Sequence, residues 1–275
     1  MSQRTSTRGL LDPNAASGKY SSWGRAPSED VAWFLEQHWG ASWNLAAPYT
    51  QELLLCPSVY VVFGTHSPGV HGVVTRRFTA NLAGEGWVFG TRFRPGAFRP
   101  FVERPMRELR DRVATIGEIF GTAGEALAAR VREATDADGR IAVVESFFRT
   151  RAKRPDREAQ LVERAVGLAR TEHELSRVDD LAARLGVSVR VLEIKFREYV
   201  GLSPKEMLLR CRVQEAAERL LAGEEVDFAE LALTCGYVDQ AHLIREFKLQ
   251  TGATPGQYAR RCAEPPPVGA GPVRD

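Results

Sequence analysis

An internal repeat near the C-terminus constrains this chain more than any other feature. The stretch LAARLG beginning at Leu181 recurs as LALTCG beginning at Leu231, 50 residues further on. Beyond the matching glycines the correspondence continues one residue out of step: Phe196, Gly201 and Pro204 pair with Phe247, Gly252 and Pro255, an offset of 51. Each copy reads as a short helix with Leu and Ala on its inner face, a glycine free to take positive φ, and a second amphipathic helix. That plan is a helix-turn-helix, present twice.

The local chemistry of the copies agrees with this plan. In the first, Asp179 and Asp180 are expected to cap a helix running to Leu185, Gly186 turns the chain, and Ser188 caps the second helix, which Leu192 and Phe196 anchor four residues apart. In the second, Asp227 caps, Gly236 turns, Asp239 caps again, and Leu243 and Phe247 repeat the anchor. Between the copies, the segment from Ser203 to Gly223 reads as one long helix opened by Ser-Pro and stopped by Gly. At ~1.5 Å per residue it spans roughly 25 to 30 Å, enough to hold the units about one DNA turn apart.

With the apolar stripes turned inward, the outer face of the first unit's second helix carries Arg190, Glu193, Ile194 and Arg197, and that of the second carries Gln240, Ala241, Ile244, Arg245 and Lys248. Arg190 and Arg245 can donate a bidentate pair to guanine, Gln240 can do the same to adenine, Glu193 can accept from cytosine, and Ile244 can pack on a thymine methyl. Lys195, Lys248 and the first-turn amides around Ser188, Asp239 and His242 suit phosphates, which set register. The competing reading is an all-α bundle without nucleic acid, and duplication at matched turn glycines argues against it.

The rest of the chain gives a second domain. Residues 1–27 are rich in Ser, Gly, Arg and Asn and are expected to form a disordered arm, as is the tail 263–275. From Ser28 to Phe101 short aromatic and β-branched runs between Gly, Pro and Ser predict strands, and from Pro105 apolar residues at helical spacing predict short helices. The basic, Pro-containing stretch from Arg149 to Glu158 marks the boundary. The expected fold class is therefore α+β: a β-rich, barrel-like N-terminal domain with trailing helices over 28–155, then an all-α tandem helix-turn-helix domain over 160–262.

Composition excludes more than it assigns. The formal net charge of +2 is too small to announce a nucleic-acid partner, so any such role rests on where individual charges sit. No apolar run reaches the ~20 residues of a membrane helix and no secretory signal opens the chain, which predicts a cytoplasmic protein. Cys56, Cys211, Cys235 and Cys262 lack the spacing of a zinc knuckle or redox dithiol. There is no phosphate-binding glycine loop, metalloprotease motif or nucleophile elbow, so no enzyme is predicted.

The second unit resembles the AraC/XylS family of bacterial regulators. The resemblance rests on LALTCGYVDQAHLIREFKLQTGATPGQY from Leu231: the Ala-Gly-aromatic turn, the Asp-Gln helix start, Phe247-Lys248 and the closing Gly-x-Thr-Pro. It covers about Glu172 to Arg261 and implies a seven-helix domain reading adjacent major-groove segments. Arg190 and Glu193, and Gln240, Ala241, Ile244 and Arg245, then occupy groove-facing positions. Where many members place an Arg beside the position of Glu193, this chain has Ile194, so the first unit is expected to contribute position more than sequence.

The N-terminal region resembles the uncharacterised β-rich domain that precedes this unit in a subset of AraC-type proteins, through QELLLCPSVYVVFG from Gln51, HGVVTRRF from His71, and VFGTRFRPGAFRPF from Val88 into PMRELRDRV. The resemblance implies a sensory or effector role and names no ligand. Trp33, Trp39, Trp43, Phe89, Phe93 and Phe98 either line an apolar cavity or form plain core. His66 and His71 in THSPGVH, with Cys56, lack a carboxylate at ligand spacing, and the histidines read as exposed on a Ser/Pro/Gly loop rather than as a metal site. Arg92, Arg94 and Arg99 could bind an anionic effector, but are expected to pair with Glu103 and Glu108. The expected partner is double-stranded DNA, with RNA polymerase, a small-molecule effector and a second copy of the chain as further candidates; no cofactor, metal or membrane is expected. The alternatives are a constitutive DNA-binding protein whose N-terminal domain only dimerises, and a DNA-repair methyl acceptor using Cys56.

Overall fold

In this computed structural model, the residues described are 11, 16, 18–153, 156–172, 175, 177–223 and 227–263. Most of the predicted arm and all but the first residue of the predicted tail lie outside them. The N-terminal domain is a six-stranded antiparallel sheet of order β1-β2-β5-β3-β4-β6, built from Ser21–Arg25 (β1), Leu35–Leu53 (β2), Tyr60–Gly64 (β3), Gly69–His71 (β4), Phe78–Phe93 (β5) and Val113–Ala114 (β6). The sheet is open among the described residues, with β1 and β6 at its edges. Register shifts between Leu45 and Tyr49 and between Leu35 and Gln37 interrupt the long β2–β5 ladder, and such irregularities bend a sheet and increase its twist.

β1 corrects the predicted disordered arm. Ser21–Arg25 pairs with Ser42–His38 of β2, and Trp23 lies over Phe89 with ring centroids 6.1 Å apart. A five-residue segment with Ser at two positions and Gly at a third carries little periodicity, so only its cross-strand partner reveals it.

Alternation along β3 separates the two faces of the sheet. Val61 and Phe63 point to a core shared with Phe89, Phe93, Phe98 and Val70, closed by the helices α1 (Ile116–Glu133) and α2 (Ala137–Arg149) through Leu127, Val131, Val144 and Phe148. Tyr60 and Val62 face the other side. Phe93 meets Phe98 and Phe148 edge-on at 4.8 and 4.9 Å, the geometry ring quadrupoles favour. His38 is buried on the helical side, with Nδ1 bonded to Thr91 Oγ1 at 2.8 Å and Nε2 to Glu145 Oε1 at 3.0 Å.

The C-terminal domain contains seven α-helices among the described residues: α3 (Arg157–Thr171), α4 (Val178–Leu185), α5 (Val189–Tyr199), α6 (Pro204–Leu221), α7 (Phe228–Thr234), α8 (Gln240–Thr251) and α9 (Pro255–Ala263). It has two cores, one per repeat. Leu181, Leu185, Leu192 and Phe196 lie in the first with Val162 and Met207, and Leu231, Leu243 and Phe247 in the second with Val213 and Tyr258. Each core also takes side chains from the N-terminal half, Val73 in the first and Leu11 and Leu54 in the second, so the domains are packed together rather than strung on a linker.

Candidate nucleic-acid interface

Both helix-turn-helix units are built as their sequences dictate. Gly186 and Gly236 adopt φ of 70° and 73°, the left-handed turn that a β-carbon would strain. Ser188 accepts from the Val191 amide at 3.3 Å and Asp239 from the His242 amide at 2.7 Å, so both second helices start on capped amides. Asp227 likewise caps α7 through the Ala229 amide at 2.8 Å. The expected caps of α4 are corrected: its N-cap is Arg177, with no side-chain bond, and Asp179 and Asp180 lie inside the first turn. There they favour the helix through its dipole instead. Between the units α6 opens on a capping box, in which Ser203 Oγ accepts from the Glu206 amide and Glu206 accepts from the Ser203 amide at 2.8 Å.

Leu192, Phe196, Leu243 and Phe247 are fully buried, which fixes the rotation of α5 and α8 about their axes. The opposite faces are open. Arg190, Glu193, Ile194 and Arg197 are exposed on α5, as are Gln240, Ala241, Arg245 and Lys248 on α8, while Ile244 and His242 are half-buried. Among the described residues no ion pair or hydrogen bond engages the side chains of Arg190, Glu193, Arg197, Gln240, Arg245 or Lys248. His242 rests edge-on against Tyr237, with centroids 5.2 Å apart. Ile194 is 50% exposed and Val191 beside it 39%, giving α5 an apolar outer patch of which sequence reasoning singled out only Ile194.

Lys195 is drawn inward. Its Nζ lies 2.5 Å from Glu158 Oε1 of α3 and 3.8 Å from Glu198 Oε2, so it braces α5 against α3 where a phosphate contact was expected. Glu158 also holds Tyr199, whose hydroxyl is shared between Asp156 and Glu158 at 2.8 and 3.1 Å.

The other face of the N-terminal sheet, away from α1 and α2, encloses a cavity of about 210 Å³. Of the aromatics singled out in the sequence, Trp39 and Trp43 line it together with Tyr60, Phe78, Leu82 and Val88, whereas Trp33, Phe89, Phe93 and Phe98 belong to the helical-side core. Its polar lining includes Gln51, which accepts from Tyr20 and Tyr49 at 3.2 and 3.1 Å. His71 bonds the Ser67 carbonyl at 2.7 Å, and His66 packs edge-on against Trp43. Cys56 receives a hydrogen bond from Arg92 Nη1 at 3.2 Å. Among the described residues no group of three or more His, Cys, Asp or Glu side chains is arranged to hold a metal ion.

Arg92 also leads out of the cavity. Its Nε lies 3.3 Å from Glu36 Oε2, and Glu36 Oε1 accepts from Arg170 Nη1 of α3 at 3.1 Å, so one carboxylate joins the cavity wall to the C-terminal domain. The expected pairing of the three arginines with Glu103 and Glu108 is thus corrected: Arg94 Nε donates to the Ala32 carbonyl at 2.6 Å, and Arg99 to the Val102 carbonyl at 2.7 Å and Glu198 at 3.5 Å. Of these partners only Glu198 lies in the second domain, which Gly96 of the Arg-Pro-Gly turn also approaches through Val162 and Tyr199. No helix among the described residues is long and apolar enough to cross a membrane.

Comparison with known proteins finds a domain match in each half. Residues 181–261 match a family described as a helix-turn-helix domain, and residues 25–115 match a domain of unknown function, DUF6597. An AraC-like transcription regulator of Streptomyces lividans is 35% identical over 88 residues, covering 32% of this chain and 29% of that protein. The HTH-type transcriptional regulator MtrA of Neisseria gonorrhoeae is 32% identical over 83 residues, covering 30% and 27%. The chain therefore spans less than a third of the length of these curated relatives. Among solved structures, ToxT of Vibrio cholerae aligns over 88% of this chain and 98% of its own at 11% identity, with a TM-score of 0.45. Its paired helix-turn-helix units are thus similar to those of AraC-like regulators, and a separate domain match covers the N-terminal half.

Proposed function

We propose that this protein is a transcription regulator that binds double-stranded DNA, laying α5 and α8 in adjacent major-groove segments. The observation that carries the reading is the pair of capped helices whose inner faces are fully buried and whose outer faces present Arg190, Arg197, Gln240, Arg245 and Lys248, unpaired among the described residues. Those side chains combine guanidinium and amide groups, which read base edges, with cations that meet phosphates. The match to helix-turn-helix regulators over residues 181–261 supports it. Arg190, Glu193, Ile194, Gln240, Ala241, Ile244 and Arg245 are assigned to bases, and Ser188, Arg197, Asp239, His242 and Lys248 to the backbone or to helix start. Lys195 is assigned to bracing.

The N-terminal cavity is assigned to a small, largely apolar effector, because its wall is aromatic and aliphatic and its edge is tied through Arg92 and Glu36 to α3. The constitutive alternative differs in ligand dependence. Selecting DNA from a random pool with the full chain, with and without a metabolite extract, tests both parts. An enriched motif with two half-sites about one helical turn apart supports the DNA reading, and no enrichment over bulk DNA refutes it. A motif indifferent to every extract leaves the constitutive protein.

A further inference from the structure

The loop of residues 74–77 bridges the two domains beside the second recognition helix. Arg210, on α6, donates through Nη2 to the Val74 carbonyl at 2.9 Å, and Arg77 pairs with Glu52 at 3.0 Å while its guanidinium lies against Gly252 at the end of α8. Between this loop, α6 and α8 lies a cleft of about 250 Å³ lined by Thr75, Arg76, Arg110, Arg210, Glu246 and Gln250, together with Leu202, Glu206, Leu209 and Leu249.

Two features of the cleft are out of balance. Arg210 is only 2% exposed, yet among the described residues no carboxylate pairs with it and its Nη1 has no hydrogen-bond partner. Burial pushes its guanidinium down to about 10, which leaves it charged at neutral pH. Gln250 is 8% exposed and its Oε1 likewise has no partner. A buried cation and a buried amide left without partners are both costly, so such groups are normally satisfied by something else. Arg110 is already neutralised by Glu206 at 2.6 Å, but Arg76 stands exposed at the rim with no ion pair among the described residues.

We propose that this cleft is a binding site for a small metabolite bearing an oxyanion, a carboxylate or a phosphate, whose oxygens lie between Arg210 and Arg76 and whose own O–H or N–H donates to Gln250. The site is separate from the cavity on the N-terminal sheet and does not depend on the effector assigned there. Its volume, below the ~300 Å³ at which pockets for drug-sized ligands begin, limits the ligand to a compact polar molecule. Because loop 74–77, α6 and α8 all contribute, an occupant ties the N-terminal domain directly to the second recognition helix.

The test is isothermal titration of the full chain with inorganic phosphate and, separately, succinate, against sodium chloride at equal ionic strength. Saturable binding of one or both anions, one per chain, is expected, and which of them binds identifies the oxyanion. Arg76→Ala, at an exposed position that leaves packing intact, is expected to raise Kd at least tenfold, and Gln250→Leu to weaken binding in the same direction. The double variant Arg245→Ala/Lys248→Ala, on the opposite face of α8, is expected to leave Kd within twofold. Absence of saturable binding by either anion overturns the proposal. So does binding that survives Arg76→Ala, or binding that the outer-face double variant removes.

Discussion

The Glu36 bridge makes a quantitative statement about how the domains are held. Its carboxylate lies between Arg92, whose side chain is 13% exposed, and Arg170, 32% exposed, and is itself 17% exposed. Two charges about 4 Å apart at an effective dielectric of ~20 attract by about 4 kcal/mol before desolvation. Partial exposure of Arg170 screens its share, placing the Glu36–Arg170 pair between the ~0–1 kcal/mol of a surface pair and the ~3–5 kcal/mol lost when a buried pair is broken. A coupling of about 2 kcal/mol is expected from the double-mutant cycle of Glu36→Gln and Arg170→Met. Urea unfolding reports it with two probes, because all five tryptophans lie between Trp23 and Trp87 in the N-terminal domain whereas most of the helix signal comes from α3–α9. Wild type is expected to give coincident fluorescence and circular-dichroism transitions, and Glu36→Gln to separate them. A coupling below ~0.5 kcal/mol would mean the bridge does not hold the domains together.

Three further outcomes follow from the same geometry. Arg245→Ala is expected to cost about 1–3 kcal/mol at one base position and relax specificity there, while Lys248→Ala weakens all sequences alike and lowers the salt slope by about one; quantitative band-shift titration on selected and random DNA separates them, and equal loss on both DNAs for Arg245→Ala counts against its groove role. Asp239→Ala removes the acceptor for the His242 amide at the start of α8 and should lower stability by about 1 kcal/mol, read as a drop in Tm. Burial pushes His38 below the usual histidine range despite Glu145, and burial likewise lowers His71. The unfolded chain therefore takes up protons that the folded chain refuses, so stability falls as pH drops below ~6.5, by at most about 1.4 kcal/mol per pH unit for each histidine. Urea midpoints between pH 7.5 and 5.5 measure the slope, and His38→Gln should reduce it; an unchanged slope would remove His38 from the account.

The recognition units were legible because their determinants are local. A turn glycine, a capping Ser or Asp and an apolar pair four residues apart act within two turns of helix, and Gly186, Ser188, Asp239, Leu192, Phe196, Leu243 and Phe247 all stand as the spacing predicts. The α4 cap was misplaced by local reasoning of the same kind, since Arg177 rather than an acid holds the N-cap position there. Lys195 shows a different limit: it lies at the margin between the buried and open sides of α5, and it turns toward α3 because Glu158 stands there, 37 residues away.

What this sequence determined by itself was the duplicated unit and the side chains on its outer faces, because helical periodicity and capping are written in neighbouring residues. The tertiary structure alone decided the rest: that Ser21–Arg25 is a strand, that the aromatics divide between a core and a cavity, that Arg92 and Arg170 share Glu36, and that Arg210 is buried with no ion pair among the described residues. Each of these depends on groups brought together from distant parts of the chain. Coulomb attraction and desolvation act through space, and no local periodicity records which distant charge a fold will place alongside.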